Sequence, residues 1–240
     1  MRAPPTIVRN DLSIYESKAE HWWNPDDATF ASLRAINTHR LRWLQAALGA
    51  SLATARIADL GCGGGLLAVP LAAGGARVVG VDISRASLAA ATARAAPGTQ
   101  FVCADLRACP LAPGSFDLVL LADILEHLEA WPVAIATATR LLRRGGHLYV
   151  NTINRTWQAR CLAVTLAEGL GYVPRGTHDP ALFVRPAELL AEATLSALRC
   201  TRLEGEAPAT LRTLRTGAIH LRPSRSLAVA YAALFVKEDA

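Results

Sequence analysis

The sequence predicts an α/β fold: a doubly wound parallel sheet with an antiparallel C-terminal edge and a helical N-terminal extension. Three observations carry the prediction. Short apolar runs alternate with helical stretches from residue 55 to residue 151, the pattern that winds a parallel sheet. The first run, Ile57 to Leu60, passes straight into Gly61-Cys62-Gly63-Gly64-Gly65, and the second, Val78 to Val81, ends in Asp82. Residues 199–205 and 227–236 read as two consecutive strands with no helix between them, which adds an antiparallel edge pair.

Each element has a local cause. Residues 11–50 form a helical cap: Leu41, Trp43, Leu44 and Leu48 recur at helical spacing, and Trp22-Trp23-Asn24-Pro25 breaks an earlier helix. Residues 55–60 are a strand, 65–74 a helix with Pro70 bending it, and 77–82 a strand. Ser84 caps an alanine-rich helix that runs to Ala96 and stops at Pro97-Gly98. Residues 101–105 and 116–121 are strands divided by a turn at Pro113-Gly114, the latter apolar throughout as central parallel strands are. A helix over 131–142 ends at Arg144-Gly145-Gly146, and 147–151 is the fifth strand. Residues 152–183 follow no simple period and read as a lid insertion; 186–197 is a helix. No repeat or linker divides the chain, so residues 1–240 read as one domain.

Composition narrows the class. At 52% hydrophobic residues the chain can bury one substantial core and is not disordered. The net charge of +5 is scattered, with no basic run interleaved with aromatics, which argues against nucleic acid as a partner. Five cysteines without a Cys-x-x-Cys pair read as reduced thiols of a cytoplasmic protein. No signal peptide or membrane-spanning run is legible. Oligomeric state is not encoded in any pattern found.

The strand-then-glycine turn suits a nucleoside-bearing ligand: bare backbone faces the ligand, and the acid at the end of the second strand takes the ribose hydroxyls. A dinucleotide fingerprint needs a glycine at position 66, which is Leu66, so a nicotinamide oxidoreductase is the weaker reading. Glycines at 61, 63 and 65 resemble the first motif of class I methyltransferases that use S-adenosylmethionine. The resemblance implies a seven-stranded Rossmann-like sheet, with Asp59 opening the motif and the turn facing the amino-acid end of the cofactor. Asp82 is then the ribose ligand, with a helix-cap role compatible beside it. Ile83 would pack on the adenine. Asp105 would accept the adenine amino hydrogen or simply cap a loop, backbone at Leu106 would read the ring, and Ala122 would offer backbone to the cofactor.

Asp123-Ile124-Leu125-Glu126-His127 crowds two carboxylates and an imidazole after the fourth strand. Three readings stand: a general base at His127 assisted by Glu126, a divalent cation such as Mg2+ held by Asp123, Glu126 and His127, or caps and salt bridges at a helix start.

Three further segments resemble the ubiquinone-biosynthesis O-methyltransferase family: Trp22-Trp23 with Phe30 and Leu33 to Arg40; Asn151 to Thr156; and Gly176-Thr177-His178-Asp179-Pro180 with Phe183, Pro186, Glu188 and Leu189. The resemblance implies methylation of a polyprenylated catechol or quinol and a contact between Arg40 and the cofactor carboxylate. The chain departs from the family at Asp123, where a longer acid is usual, at Thr38-His39, and over residues 206–240. A phenol of secondary metabolism is therefore an alternative acceptor; a non-catalytic cofactor-binding module is a further alternative reading of the chain. Residues 156–175 mix Leu162, Val164, Leu166, Leu170, Tyr172 and Val173 with Arg155, Arg160 and Arg175. They read either as a lid that docks peripherally on the inner membrane surface or as an ordinary active-site lid. His178, within the lid, is the second candidate for the acceptor oxygen.

Overall fold

A computed structural model describes residues 10–238. Eight strands form one sheet in the order β3-β2-β1-β4-β5-β8-β6-β7. They are β1 (Arg56–Leu60), β2 (Arg77–Asp82), β3 (Thr99–Cys103), β4 (Phe116–Ala122), β5 (Leu142–Ile153), β6 (Leu198–Pro208), β7 (Leu221–Ser224) and β8 (Ala230–Lys237). The pairs among β1 to β5 are parallel; β5–β8, β8–β6 and β6–β7 are antiparallel. Chain order reverses between β1 and β4, and the crevice beyond the C-terminal ends of those strands is where such sheets take ligands.

Alternation along the central strands divides the core into two layers. Ala58, Leu60, Val119, Leu121, Leu148 and Val150 face one side, against α5 (Trp131–Leu141) and α7 (Pro186–Leu195). Ile57, Leu118, Leu120 and Tyr149 face the other, against Trp43 and Leu44 of α2 (Ala31–Leu48) and Leu71 of α3 (Ala68–Ala73). Helix α4 (Arg85–Thr92) starts where expected, with the Ser84 hydroxyl accepting the Ser87 amide at 3.0 Å.

The cap divides into α1 (Ser13–Ser17), a short 3-10 turn and α2, with Trp22 to Pro25 between the turn and α2, and Tyr15, Trp22 and Phe30 stack together. Several expectations are corrected. Strand β3 ends at Cys103, so Asp105 lies beyond the strand. The sheet gains an eighth strand, because α8 (Thr210–Thr216) and β7 occupy the stretch between β6 and β8. The lid is not aperiodic: α6 (Trp157–Ala159) passes into a π-helical run, Arg160–Glu168. Trp157, Leu166 and Leu170 stay exposed, and no helix among the described residues is long and apolar enough to cross a membrane.

Leu120 on β4 is fully buried. Leu120→Ala should cost about 2–5 kcal/mol. Urea unfolding followed by circular dichroism checks this, with a lowered midpoint and an unchanged slope as the expected result.

Candidate functional site

The glycine turn joins β1 to α3 with Gly61, Gly63 and Gly65 all at positive φ. Asp82 holds it from the neighbouring strand. One Asp82 oxygen accepts the Gly63 amide at 2.8 Å and the other accepts the Ser84 amide at 2.8 Å. With the Ile83 amide also donating to it, the carboxylate still keeps an acceptor site for a ribose hydroxyl, so the residues present fit a ribose. Burial raises the Asp82 pKa against these amide bonds. Ile83 is 68% exposed beside it, an uncovered apolar side chain where a flat ring would pack. Asp59 is buried beneath the turn, where it accepts the Ala68 amide at the start of α3; burial, then the Asp82 charge, push it up to about 7. Asp105 caps a 3-10 turn and its carboxylate is engaged by the Arg107 guanidinium, with Nε at 2.9 Å from Oδ2. The Leu106 carbonyl accepts from Thr137 Oγ1 at 3.1 Å, and Ala122 ends β4.

The cap closes on this turn. A Cβ on Gly63 or Gly64 would strike the Trp22 ring, and one on Gly61 would strike Ile124. Trp22 Nε1 donates to Ser87 Oγ at 3.0 Å, and Trp23 Nε1 to the Gly64 carbonyl at 2.7 Å.

Arg40 is 2% exposed and sits under the end of β4. Its Nη2 donates to Asp123 and to Asn151, and its Nη1 to Asn37 at 3.1 Å. Nε is buried without a partner. Most of the fork is thus committed within the protein, to Asn37, Asp123 and Asn151, and Arg40 also lines the cavity described below.

The cation expectation is corrected. Asp123 faces Arg40, Glu126 accepts from Thr152 Oγ1 at 2.8 Å, and His127 pairs with Asn10. The three side chains have separate partners, and among the described residues no group of His, Cys, Asp and Glu converges as metal ligands. Glu126, buried and with its pKa raised by burial and by Asp123, does not line the cavity that Asp123 and His127 line.

That cavity, about 140 Å3, lies between the cap, the ends of β4 and β5 and the lid. Its walls are mostly apolar, Ile14, Leu33, Ile36, Leu162 and Val229 among them. His127 and His178 supply imidazoles at its polar end, their rings stacked with centroids 5.7 Å apart. The His127 tautomer follows from its partner. Asn10 Nδ2 donates to the His127 carbonyl at 3.1 Å, which turns Asn10 Oδ1 to His127 Nδ1 at 2.8 Å. Oδ1 only accepts, so Nδ1 carries the proton and Nε2 is the basic nitrogen. Burial, then the neighbouring His178, lower its pKa to about 4, against a smaller pull from Asp123. The ring is neutral at pH 7. His178 is anchored by Glu168, whose Oε1 accepts the His178 amide at 3.0 Å and faces its Nδ1 at 3.2 Å.

Asn10, Glu168 and the pairing of Asn151 with Arg40 escaped the sequence. Asn10 lies 117 positions from His127, and no local spacing signals such a pair. Asn151 was visible only as part of a resemblance.

Comparison with known proteins fits this geometry. A family described as "Methyltransferase domain" matches residues 58–150. The chain is 38% identical over 200 residues to the ubiquinone biosynthesis O-methyltransferase of Ralstonia nicotianae, covering 81% of this chain and 83% of that one. It is 36% identical to the protein of the same description from Methylococcus capsulatus, over 99% of both chains. Among solved structures, the magnesium protoporphyrin IX methyltransferase of Synechocystis with bound SAH superposes with a TM-score of 0.65 at 20% identity, covering 94% and 96% of the two chains. That last likeness is one of fold.

The lowered His127 pKa has a consequence for stability. Between about 6.5 and about 4 the unfolded chain binds a proton at this ring that the folded chain refuses, so this group's contribution falls as pH falls. His127→Gln removes it. The stability of the variant relative to the parent should therefore rise by about 2–3 kcal/mol from pH 7 to pH 4, measured by denaturant unfolding at each pH. Asp59, raised in the fold, pulls the other way in both proteins and cancels in the difference.

Proposed function

The chain belongs to the family of ubiquinone biosynthesis O-methyltransferases, and we propose that it methylates a phenolic hydroxyl of a catechol or quinol with His127 as the base. The observation that carries this reading is the neutral imidazole whose basic Nε2 is set by Asn10 at the polar end of an apolar cavity. When bound, S-adenosylmethionine supplies an electrophilic methyl on a sulfonium.

Asp82 would hold the ribose hydroxyls and Ile83 would cover the adenine, at the C-terminal ends of the strands where such sheets take ligands. The apolar walls position the acceptor ring and exclude water. His127 Nε2 would take the proton that the phenolic oxygen gives up as it accepts that methyl. A pKa of about 4 suffices for this base, because the phenolic proton becomes strongly acidic once the new C–O bond begins to form. His178, with Nδ1 facing Glu168, lies close enough to orient the acceptor oxygen from the lid side.

His127→Ala should lower turnover of a catechol by roughly 10²–10⁴-fold while cofactor affinity stays within about twofold. Steady-state assays and calorimetry separate the two, and normal turnover would remove His127 as the base. Asp82→Ala should show the reverse pattern, with cofactor binding weakened by about 1.5–3 kcal/mol, the range for bonds to a charged group. Unchanged calorimetric affinity in the folded variant would remove the ribose assignment.

A further inference from the structure

We propose that Asn10 is a positioning residue of this site: it selects the ring nitrogen of His127 that carries the proton, and it does so only while the N-terminal segment lies against the lid. The inference rests on the reading of His127 as the base. Asn10 contacts His127 twice, donating from Nδ2 to the backbone carbonyl and accepting at Oδ1 from Nδ1. The first contact removes the freedom of the amide to flip, and the second then leaves a single tautomer. Asn10 sits at φ 57, a left-handed conformation that asparagine tolerates better than most residues. Its neighbour Asp11 donates its amide to the Gly176 carbonyl at 3.0 Å. The Gly176 amide in turn donates to Glu168 Oε2 at 2.8 Å, on the same carboxylate that faces His178. The segment that orients the first imidazole is therefore bonded to the loop that orients the second. Release of residues 10–11 would let the His127 ring choose its other tautomer, turning the protonated nitrogen toward the acceptor.

The orienting group is an amide, not a carboxylate, and that choice matters. A carboxylate at position 10 would favour the imidazolium and raise the pH below which the base is filled with a proton. The other groups around the ring are His178 from the lid, Asp123 and Glu126 from its own loop, and Arg40 behind Asp123. With Asp123 paired to Arg40, a neutral Asn10 leaves the ring uncharged.

The test uses the full chain with parent, Asn10→Ala and Asn10→Asp proteins. Nitrogen-15 spectra of the histidine rings report the tautomer directly, and pH profiles of turnover report the base. The parent should show His127 protonated on Nδ1. Asn10→Ala should move the ring toward the Nε2-protonated form and lower kcat by tenfold or more, with KM for the cofactor within twofold. Asn10→Asp should keep the Nδ1 proton but shift the acid limb of the kcat/KM profile upward by about one pH unit or more, with turnover recovering on the alkaline side. A structural role alone would lower activity without moving either the tautomer or that limb. An unchanged His127 tautomer in Asn10→Ala together with an unmoved acid limb in Asn10→Asp overturns the proposal. A shifted tautomer supports it even where His127→Ala keeps parental turnover, a result that would overturn the base assignment alone.

Discussion

The buried guanidinium of Arg40 is the interaction on which the site depends. A cation this deep is tolerated only when paired and hydrogen-bonded, and loss of one partner from such a pair typically costs about 3–5 kcal/mol. Here the partners come from different elements: Asn37 from the same helix, Asp123 from the turn after β4 and Asn151 from β5. Asp123 takes a left-handed backbone, φ 53, and donates its amide to the Asn151 carbonyl at 3.1 Å. Asn151 passes the connection on, donating from Nδ2 to Glu206 Oε2 at 2.6 Å, while Glu206 Oε1 faces His39 Nε2 at 3.1 Å. One charge thus ties the cap helix to three strands of the sheet. The loop that carries His127 begins at Asp123 and takes its direction from that tie.

Burial then sorts the ionisable groups of the site by role. Glu126 and Asp59 are raised by loss of solvent, whereas His127 is lowered. The same desolvation keeps the imidazole neutral beside a second imidazole and an apolar wall. Nearest the ring, the charges of Arg40 and Asp123 compensate one another.

The parallel half of the fold was legible because its signals are local. Buried strands such as Phe116 to Leu121 are continuous apolar runs, and Ser84 and Pro97-Gly98 punctuate the helix after β2. The C-terminal half was less so. Residues between β6 and β8 mix short apolar and polar stretches that give α8 and β7 little periodicity, and the helix after β5 is π-wound, so a search at the α-helical period passes over it. Within the site, Asp82 and His127 could be found by position after a strand. The partner of His127 could not: Asn10 reaches it through tertiary packing alone, as Arg40 reaches Asp123. The expected cation failed for the same reason, since sequence adjacency of Asp123, Glu126 and His127 says nothing about where a 3-10 turn points each side chain.

The contact of Trp22 with the glycine turn bears on how such a motif evolves. Gly61, Gly63 and Gly65 are held by backbone conformation whatever surrounds them. Gly64 is not, for its φ is ordinary, and the three atoms nearest to where a methyl group would stand all belong to the Trp22 side chain. Its identity is therefore conditional on the residue at position 22. Lineages that replaced the tryptophan with a smaller side chain would be free to drift at position 64, and lineages that kept it would not. The two positions should covary, and an invariant glycine in this turn can record the history of a distant aromatic ring as faithfully as that of a ligand.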